Sequence, residues 1–255
     1  MNLAALSVIT DPVFYAFAVP AALILGLSKS GFASGIGSIT TPMVAMAVTV
    51  PQAAAIMLPL LALADLLGLA ALRHGADWKL LRLLLPAGLL GIVAGWASFG
   101  LLDAHMVAGI VGISTLLFLA QQLLFPAKAD RPLPGSAITG LLCFVSGYTS
   151  FVAHAGGPPV AAALLPRRMA PLAFAGTAAV FFTAINASKW LPYGALGLLD
   201  LRNLATSVLL MPVAAFGVWL GVFLSKRISS RWFFKLVQLG MLLTGLKLVF
   251  DAFRH

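Results

Sequence analysis

The sequence predicts an all-α, polytopic integral membrane protein that consists of two inverted-topology repeats. Hydrophobic residues make up 61% of the 255-residue chain and charged residues only 9%, whereas about a quarter of the residues of a soluble domain are charged. Long apolar runs alternate with short polar ones, and a helix needs roughly 20 apolar residues to cross a bilayer. The alternation of apolar and polar residues that is typical of a membrane β-barrel is missing from the sequence.

Two of the apolar segments are too long for a single ordinary span. In chain order, the segments are 12–28, 42–72, 80–102, 105–126, 135–152, 158–190, 204–225 and 232–253. Prolines interrupt the two long ones, with Pro51 and Pro59 in 42–72 and Pro166 and Pro171 in 158–190, and proline disturbs the interior of a helix. We therefore expect each long segment to form a short half-helix followed by a full helix.

Two matched motifs indicate that the chain has two related halves. The stretch Gly31-Phe32-Ala33-Ser34 leads to Thr41-Pro42, and 116 positions later Gly147-Tyr148-Thr149-Ser150 leads to Gly157-Pro158. Small polar residues and broken backbone at corresponding places of two halves are the best sequence pointer to a transport site.

A second match supports the division into halves. Pro86, Gly91 and Gly95 correspond to Pro212, Gly217 and Gly221. We assign residues 1–126 to the first transmembrane repeat, 127–134 to a cytoplasmic linker rich in proline and charge, and 135–255 to the second repeat.

Loop charges predict that the halves have opposite orientations in the membrane. Eleven of the sixteen basic residues lie in segments that we assign to the cytoplasm: 73–82, 128–131, 167–168 and 226–235. The loop 103–105 has no Lys or Arg and is assigned to the outside. Corresponding loops of the two halves then lie on opposite sides, so each half has three full spans and one broken or re-entrant motif. The net charge of +9 follows from these loops, and no nucleic-acid partner is expected.

The motifs predict helix starts inside the membrane. Thr41 before Pro42 and Gly157 before Pro158 suit the cap and first position of a helix. Two such N-termini that face each other would make an anion site from free N–H groups and positive dipole ends. Alternatively, the small residues only tighten helix packing.

Small polar residues of the motifs complete this predicted anion site. The hydroxyls of Ser30, Ser34, Thr149 and Ser150 would donate to the anion, and the backbone at Gly156 and Gly157 could approach it closely.

Ionisable residues in apolar segments are costly and are therefore candidates for function. Lys29 is a positive partner for an anion or else a snorkelling lysine. His154 binds an anion or carries a proton, or else is a neutral, hydrogen-bonding residue. Asp65 pairs with Lys29, carries a coupling proton or acts as a structural tether.

One helix face in the second half adds a further candidate. Thr183, Asn186 and Lys189 recur every three residues and share a face. Asn186 falls near the repeat equivalent of Asp65, and we favour it as a site residue. We interpret Lys189 as an interfacial lysine.

At these motifs the chain resembles the TauE/SafE sulfite exporter family of bacterial membrane permeases. The matching stretches are residues 26–32 with Thr41-Pro42, residues 147–159, and then Asn186, Lys189 and Pro192-Tyr193. The resemblance covers nearly the whole chain. It implies a multi-spanning permease of the inner membrane for sulfur-containing anions such as sulfite or organosulfonates.

The combined expectation is a secondary transporter of small sulfur-containing anions across the bacterial inner membrane. The predicted substrate-binding residues are Lys29, Ser30, Ser34, Thr41, Thr149, Ser150, His154, Gly156, Gly157 and Asn186, with Asp65 and His154 as candidates for proton coupling. The expected partners are the anion and the lipid bilayer, and neither a cofactor nor a metal is expected. A passive anion channel is the alternative. A membrane-embedded enzyme is disfavoured because the chain has no Glu and no His-x-x-x-His pattern. The substrate, the direction of transport, the coupling ion and the oligomeric state stay open.

Overall fold

A computed structural model describes residues 8–29, 36–99, 101, 103–124, 134–224 and 230–253 of the chain. Within these ranges the secondary structure is helical, with no strand. The α-helices are α1 (Pro12–Lys29), α2 (Thr40–Val44), α3 (Val50–Leu72), α4 (Trp78–Phe99), α5 (Ala104–Leu124), α6 (Ser136–Ala153), α7 (Gly157–Leu164), α8 (Pro171–Ser188), α9 (Trp190–Ala195), α10 (Leu201–Leu224) and α11 (Ser230–Phe253).

The predicted class is confirmed, because six helices in the described part of the chain are long and apolar enough to cross a membrane. These helices are Pro12–Lys29, Val50–Ala70, Trp78–Phe99, Ser136–Ala153, Leu172–Ala195 and Leu201–Gly221. Large apolar side chains on their outer faces are well exposed, among them Leu66, Leu90 and Trp219. Such surfaces suit lipid rather than water.

Both long apolar segments divide as expected into a short helix and a full one. The first forms α2 and α3, and the second forms α7 and α8. Helix α3 begins after Thr49, whose side chain accepts a hydrogen bond from the N–H of Gln52, and Pro51 occupies the first turn, where proline is tolerated. Helix α8 also begins at a proline, Pro171, but Ala170 before it provides no side-chain cap.

The predicted cap at Thr41 is wrong. Thr41 lies inside α2, which follows directly from a 3₁₀ turn at Ile36–Ile39, and Ile39 precedes the helix without a side-chain cap. Because the 3₁₀ turn continues into α2, the carbonyls before it engage the N–H groups that a free helix start would leave open. Among the described residues, Thr41 and Pro42 therefore do not mark the isolated helix N-terminus that the sequence suggested.

Helix α3 lies at the centre of the bundle, in contact with α1, α8 and α10. Six consecutive residues, 53–58, are each at most 1% exposed. Apolar residues on all sides of this stretch, rather than on one face, are what an enclosed segment of helix requires.

Glycines let two pairs of outer helices cross with their backbones in contact. Helix α6 crosses α4 at Gly147 and Gly91, and a Cβ added at Gly147 would lie 2.0 Å from the carbonyl oxygen of Gly88. Helix α1 crosses α10 at Gly26 and Gly217, where a Cβ on Gly217 would lie 2.4 Å from the carbonyl oxygen of Leu23. Small residues allow this close approach in membrane proteins.

One pair of crossing glycines and one pair of central polar residues correspond between the two halves at the same spacing, which differs from the spacing of 116 between the sequence motifs. Gly26 and Gly147, each at a crossing, are 121 positions apart, and so are Asp65 and Asn186 on the central helices α3 and α8. The first-half motif around Gly31 lies outside the described residues, as does the linker 127–134 apart from Pro134. The opposite membrane orientation of the halves stays a prediction from loop charge.

We predict that Gly147→Ala destabilises the protein while Gly140→Ala does not. Both glycines lie on α6, but an added methyl group meets the α4 backbone at Gly147 and open space at Gly140. Overpacking of this kind costs about 1–3 kcal/mol. Thermal unfolding in detergent should show a lower Tm for Gly147→Ala only, and equal Tm values for the two variants would contradict the crossing.

Candidate functional site

Polar side chains from four helices meet in the otherwise apolar interior. Their positions are Lys29 at the end of α1, Asp65 on α3, Ser150 on α6 with His154 directly after it, and Asn186 on α8 with Lys189 directly after it. Five of the six are at most 8% exposed, and the side chain of Lys29 is 21% exposed. Since buried polar groups are costly unless they are bonded, their contacts define the site.

Asp65 links the first half to the second. One carboxylate oxygen accepts from the ammonium of Lys29, and the other accepts from the side-chain amide of Asn186 at 2.5 Å. The Lys29 ammonium also lies 5.2 Å from the centre of the Phe182 ring, within range of a cation–π interaction. The predicted pairing of Lys29 with Asp65 is therefore confirmed.

Lys189 lies at the centre of the second part of the network. Its ammonium donates to Ser150 Oγ at 2.7 Å and to Asn186 Oδ1 at 2.6 Å, and lies 2.9 Å from His154 Nδ1. The side chain turns inward at the junction with α9, which Tyr193 fixes by donating its hydroxyl to the carbonyl of Phe151 at 2.5 Å. Lys189 is 0% exposed. The prediction that it is an interfacial lysine is therefore wrong.

The end of α6 aims the His154 ring at α3. His154 has a left-handed backbone (φ 54°) and its N–H bonds back to the carbonyl of Ser150, which closes the helix. Its ring Nε2 lies 2.8 Å from the carbonyl oxygen of Ala54. A left-handed conformation is uncommon outside glycine and is found preferentially at functional sites.

Gly156 lets the chain turn back beside α6 and begin α7. A Cβ there would lie 2.7 Å from the carbonyl oxygen of Ser146, and the Ser146 hydroxyl donates to the Gly156 carbonyl at 2.6 Å. The motif glycine is thus required by packing at this point.

A cavity of about 500 Å³ borders this network. Its polar lining residues are Ser28, Lys29, Ser38, Asp65, Ser150, His154, Arg168 and Asn186. Aromatic and aliphatic side chains form the rest of the wall, among them Leu61, Phe174 and Phe182. Apolar walls with a few convergent polar groups are typical of small-molecule sites.

The cavity brings together most, but not all, of the residues predicted from the sequence. Those that line it are Lys29, Asp65, Ser150, His154, Gly157 and Asn186. Thr149 lines a separate, small pocket, and its hydroxyl donates to a main-chain carbonyl. Thr41 and Gly156 are buried and do not line the cavity. The predicted residues Ser30 and Ser34 lie outside the described part of the chain.

Sequence reasoning missed two cations at the site. Arg168 lines the cavity with an exposed side chain and a left-handed backbone (φ 50°), although its place between two helices suggested only loop charge. Lys189 shares a helix face with Asn186, which was the available signal, but spacing does not reveal depth.

This arrangement of apolar helices around a polar cavity defines a multi-pass membrane protein. The family model described as Sulfite exporter TauE/SafE matches residues 18–248. Since the match covers most of the chain, the protein belongs to the TauE/SafE sulfite exporter family, a family of membrane transporters. No curated protein and no solved structure matched the chain.

We predict that Asp65→Leu destabilises the protein more than the double variant Lys29→Met/Asp65→Leu does. The single change leaves Lys29 and an Asn186 N–H without an acceptor, at a cost of about 1–3 kcal/mol, whereas the double change removes the unpaired charge. Thermal unfolding of purified protein in detergent provides the comparison. A double variant that loses the sum of both single losses would contradict the pairing.

Proposed function

We propose that this protein carries small sulfur-containing anions, such as sulfite or organosulfonates, across the bacterial inner membrane as a secondary transporter. The substrate binds in the cavity between α1, α3, α6 and α8. The observation that carries the proposal is the excess of positive charge around this cavity.

Cations outnumber anions at the cavity. Among its described lining residues, Lys29 and Arg168 are cations and Asp65 is the one anion. Lys189 lies directly behind Ser150 and Asn186, and among the described residues no carboxylate lies within salt-bridge distance of it. In a low-dielectric interior such an excess of cations over anions attracts an anion.

The volume and the walls suit an anion with a short organic tail. About 500 Å³ falls within the range of roughly 300–1,000 Å³ that is usual for small-molecule sites and exceeds the need of a bare oxyanion. The rings of Phe174 and Phe182 line the cavity and would pack against the alkyl part of an organosulfonate. The sulfonate oxygens would accept from Lys29, Ser150 and Asn186.

Asp65 is the stronger of the two candidates for proton coupling. A proton on Asp65 would weaken its hold on Lys29, and Lys29 would then be available to the anion. Both nitrogens of His154 are already engaged, by Ala54 and by Lys189, so a second proton on this ring would break an existing contact.

We predict that Lys29→Met abolishes uptake of sulfite and of ethanesulfonate by proteoliposomes, because the anion loses its principal cation. The matched control is Lys79→Met, which removes an exposed lysine at the start of α4 and should retain wild-type flux. Flux should saturate with substrate and depend on an imposed proton gradient. Wild-type flux through Lys29→Met would overturn the site, and flux that neither saturates nor responds to the gradient would indicate a channel.

A further inference from the structure

We infer that Lys189 determines the charge specificity of the cavity by occupying the acceptor atoms of the wall that Ser150, His154 and Asn186 form. This wall then presents hydrogen-bond donors, and not acceptors, to a substrate. The inference rests on the proposed function, since it concerns the same cavity.

The orientation of each polar group in this wall follows from its neighbours. A carbonyl oxygen can only accept, so His154 Nε2 carries the hydrogen that is donated to Ala54, and Nδ1 of the neutral ring is an acceptor. The carboxylate of Asp65 likewise requires the NH₂ group of Asn186, which directs Asn186 Oδ1 toward Lys189.

All three ammonium hydrogens of Lys189 are donated to these acceptors. An ammonium has three hydrogens, and the three acceptors Ser150 Oγ, His154 Nδ1 and Asn186 Oδ1 lie 2.6–2.9 Å from its nitrogen. No hydrogen remains for a substrate, and the side chain is 0% exposed. Lys189 is therefore a positioning residue that acts through its neighbours.

Two donors remain directed away from Lys189. Ser150 accepts from Lys189, and within the described ranges its own hydroxyl hydrogen has no acceptor. The side-chain amide of Asn186 donates one of its two N–H groups to Asp65, and the second N–H is not used by that bond. Both residues line the cavity, where sulfonate oxygens can accept from them. Contact with a cation polarises such groups and makes them stronger donors.

Loss of the Lys189 charge would reverse the preference of the wall. Three acceptor atoms would become available, and these favour a ligand that carries an ammonium group. Ethanesulfonate and taurine have the same sulfonate and the same two carbons, but taurine ends in an ammonium. The ratio of their affinities therefore measures what the wall presents.

The test is isothermal titration calorimetry of the full chain in detergent with ethanesulfonate and with taurine. Wild-type protein and Lys79→Met should both bind ethanesulfonate more tightly. In Lys189→Met we expect ethanesulfonate affinity to fall about tenfold and the taurine-to-ethanesulfonate affinity ratio to rise about tenfold. Size-exclusion chromatography checks folding, and Lys189→Gln takes the place of Lys189→Met if the latter is not monodisperse, with a smaller change in the same direction.

The outcomes separate the two proposals. If the wild-type protein binds neither sulfonate, the cavity is not an organosulfonate site, and the organosulfonate part of the proposed function fails together with this inference. If it binds ethanesulfonate but the Lys189 variant weakens both ligands by the same factor, or neither, the lysine is only structural and this inference is overturned. A changed ratio supports it, because general loss of structure would not improve the relative binding of taurine.

Discussion

The Asp65 carboxylate is the contact on which the interior of this protein depends. It lies on α3 and accepts from Lys29 of α1 and from Asn186 of α8, so three helices are joined at one charged group. Through Asn186 the contacts continue to Lys189 and to the end of α6. A carboxylate that is 4% exposed is tolerated in an apolar bundle only with such partners, and the position of each partner is thereby restricted.

Close helix crossings make this network possible. Gly26 and Gly147 bring α1 and α6 against α10 and α4, backbone to backbone, in the turn of helix that precedes Lys29 and Ser150. The same small residues could be interpreted as packing elements or as parts of an anion site. At Gly147 and Gly156 packing explains the residue, whereas the polar atoms that face the cavity come from the side chains beside them.

Sequence patterns predicted the site residues whose charge or polarity is costly in an apolar segment. Lys29 and Asp65 stood out because a charge in an apolar segment is costly, and Asn186 because it corresponds to Asp65. The depth of Lys189 was missed, since a three-residue spacing identifies a helix face but not whether that face meets lipid, water or protein. The prediction of a helix cap at Thr41 was wrong because the preceding 3₁₀ turn continues into α2. No residue near Thr41 indicates this continuation.

The sequence by itself determined that this is an all-helical membrane protein, where its main helices lie and to which family it belongs. These properties depend on local hydrophobicity, on proline and on motifs that are contiguous in the chain. Only the tertiary structure decided which polar atoms meet. Asp65 and Asn186 are 121 positions apart, and Lys189 and Ser150 are 39 apart. Contacts of that separation depend on how closely helices pack, and packing is a property of the whole bundle rather than of any segment.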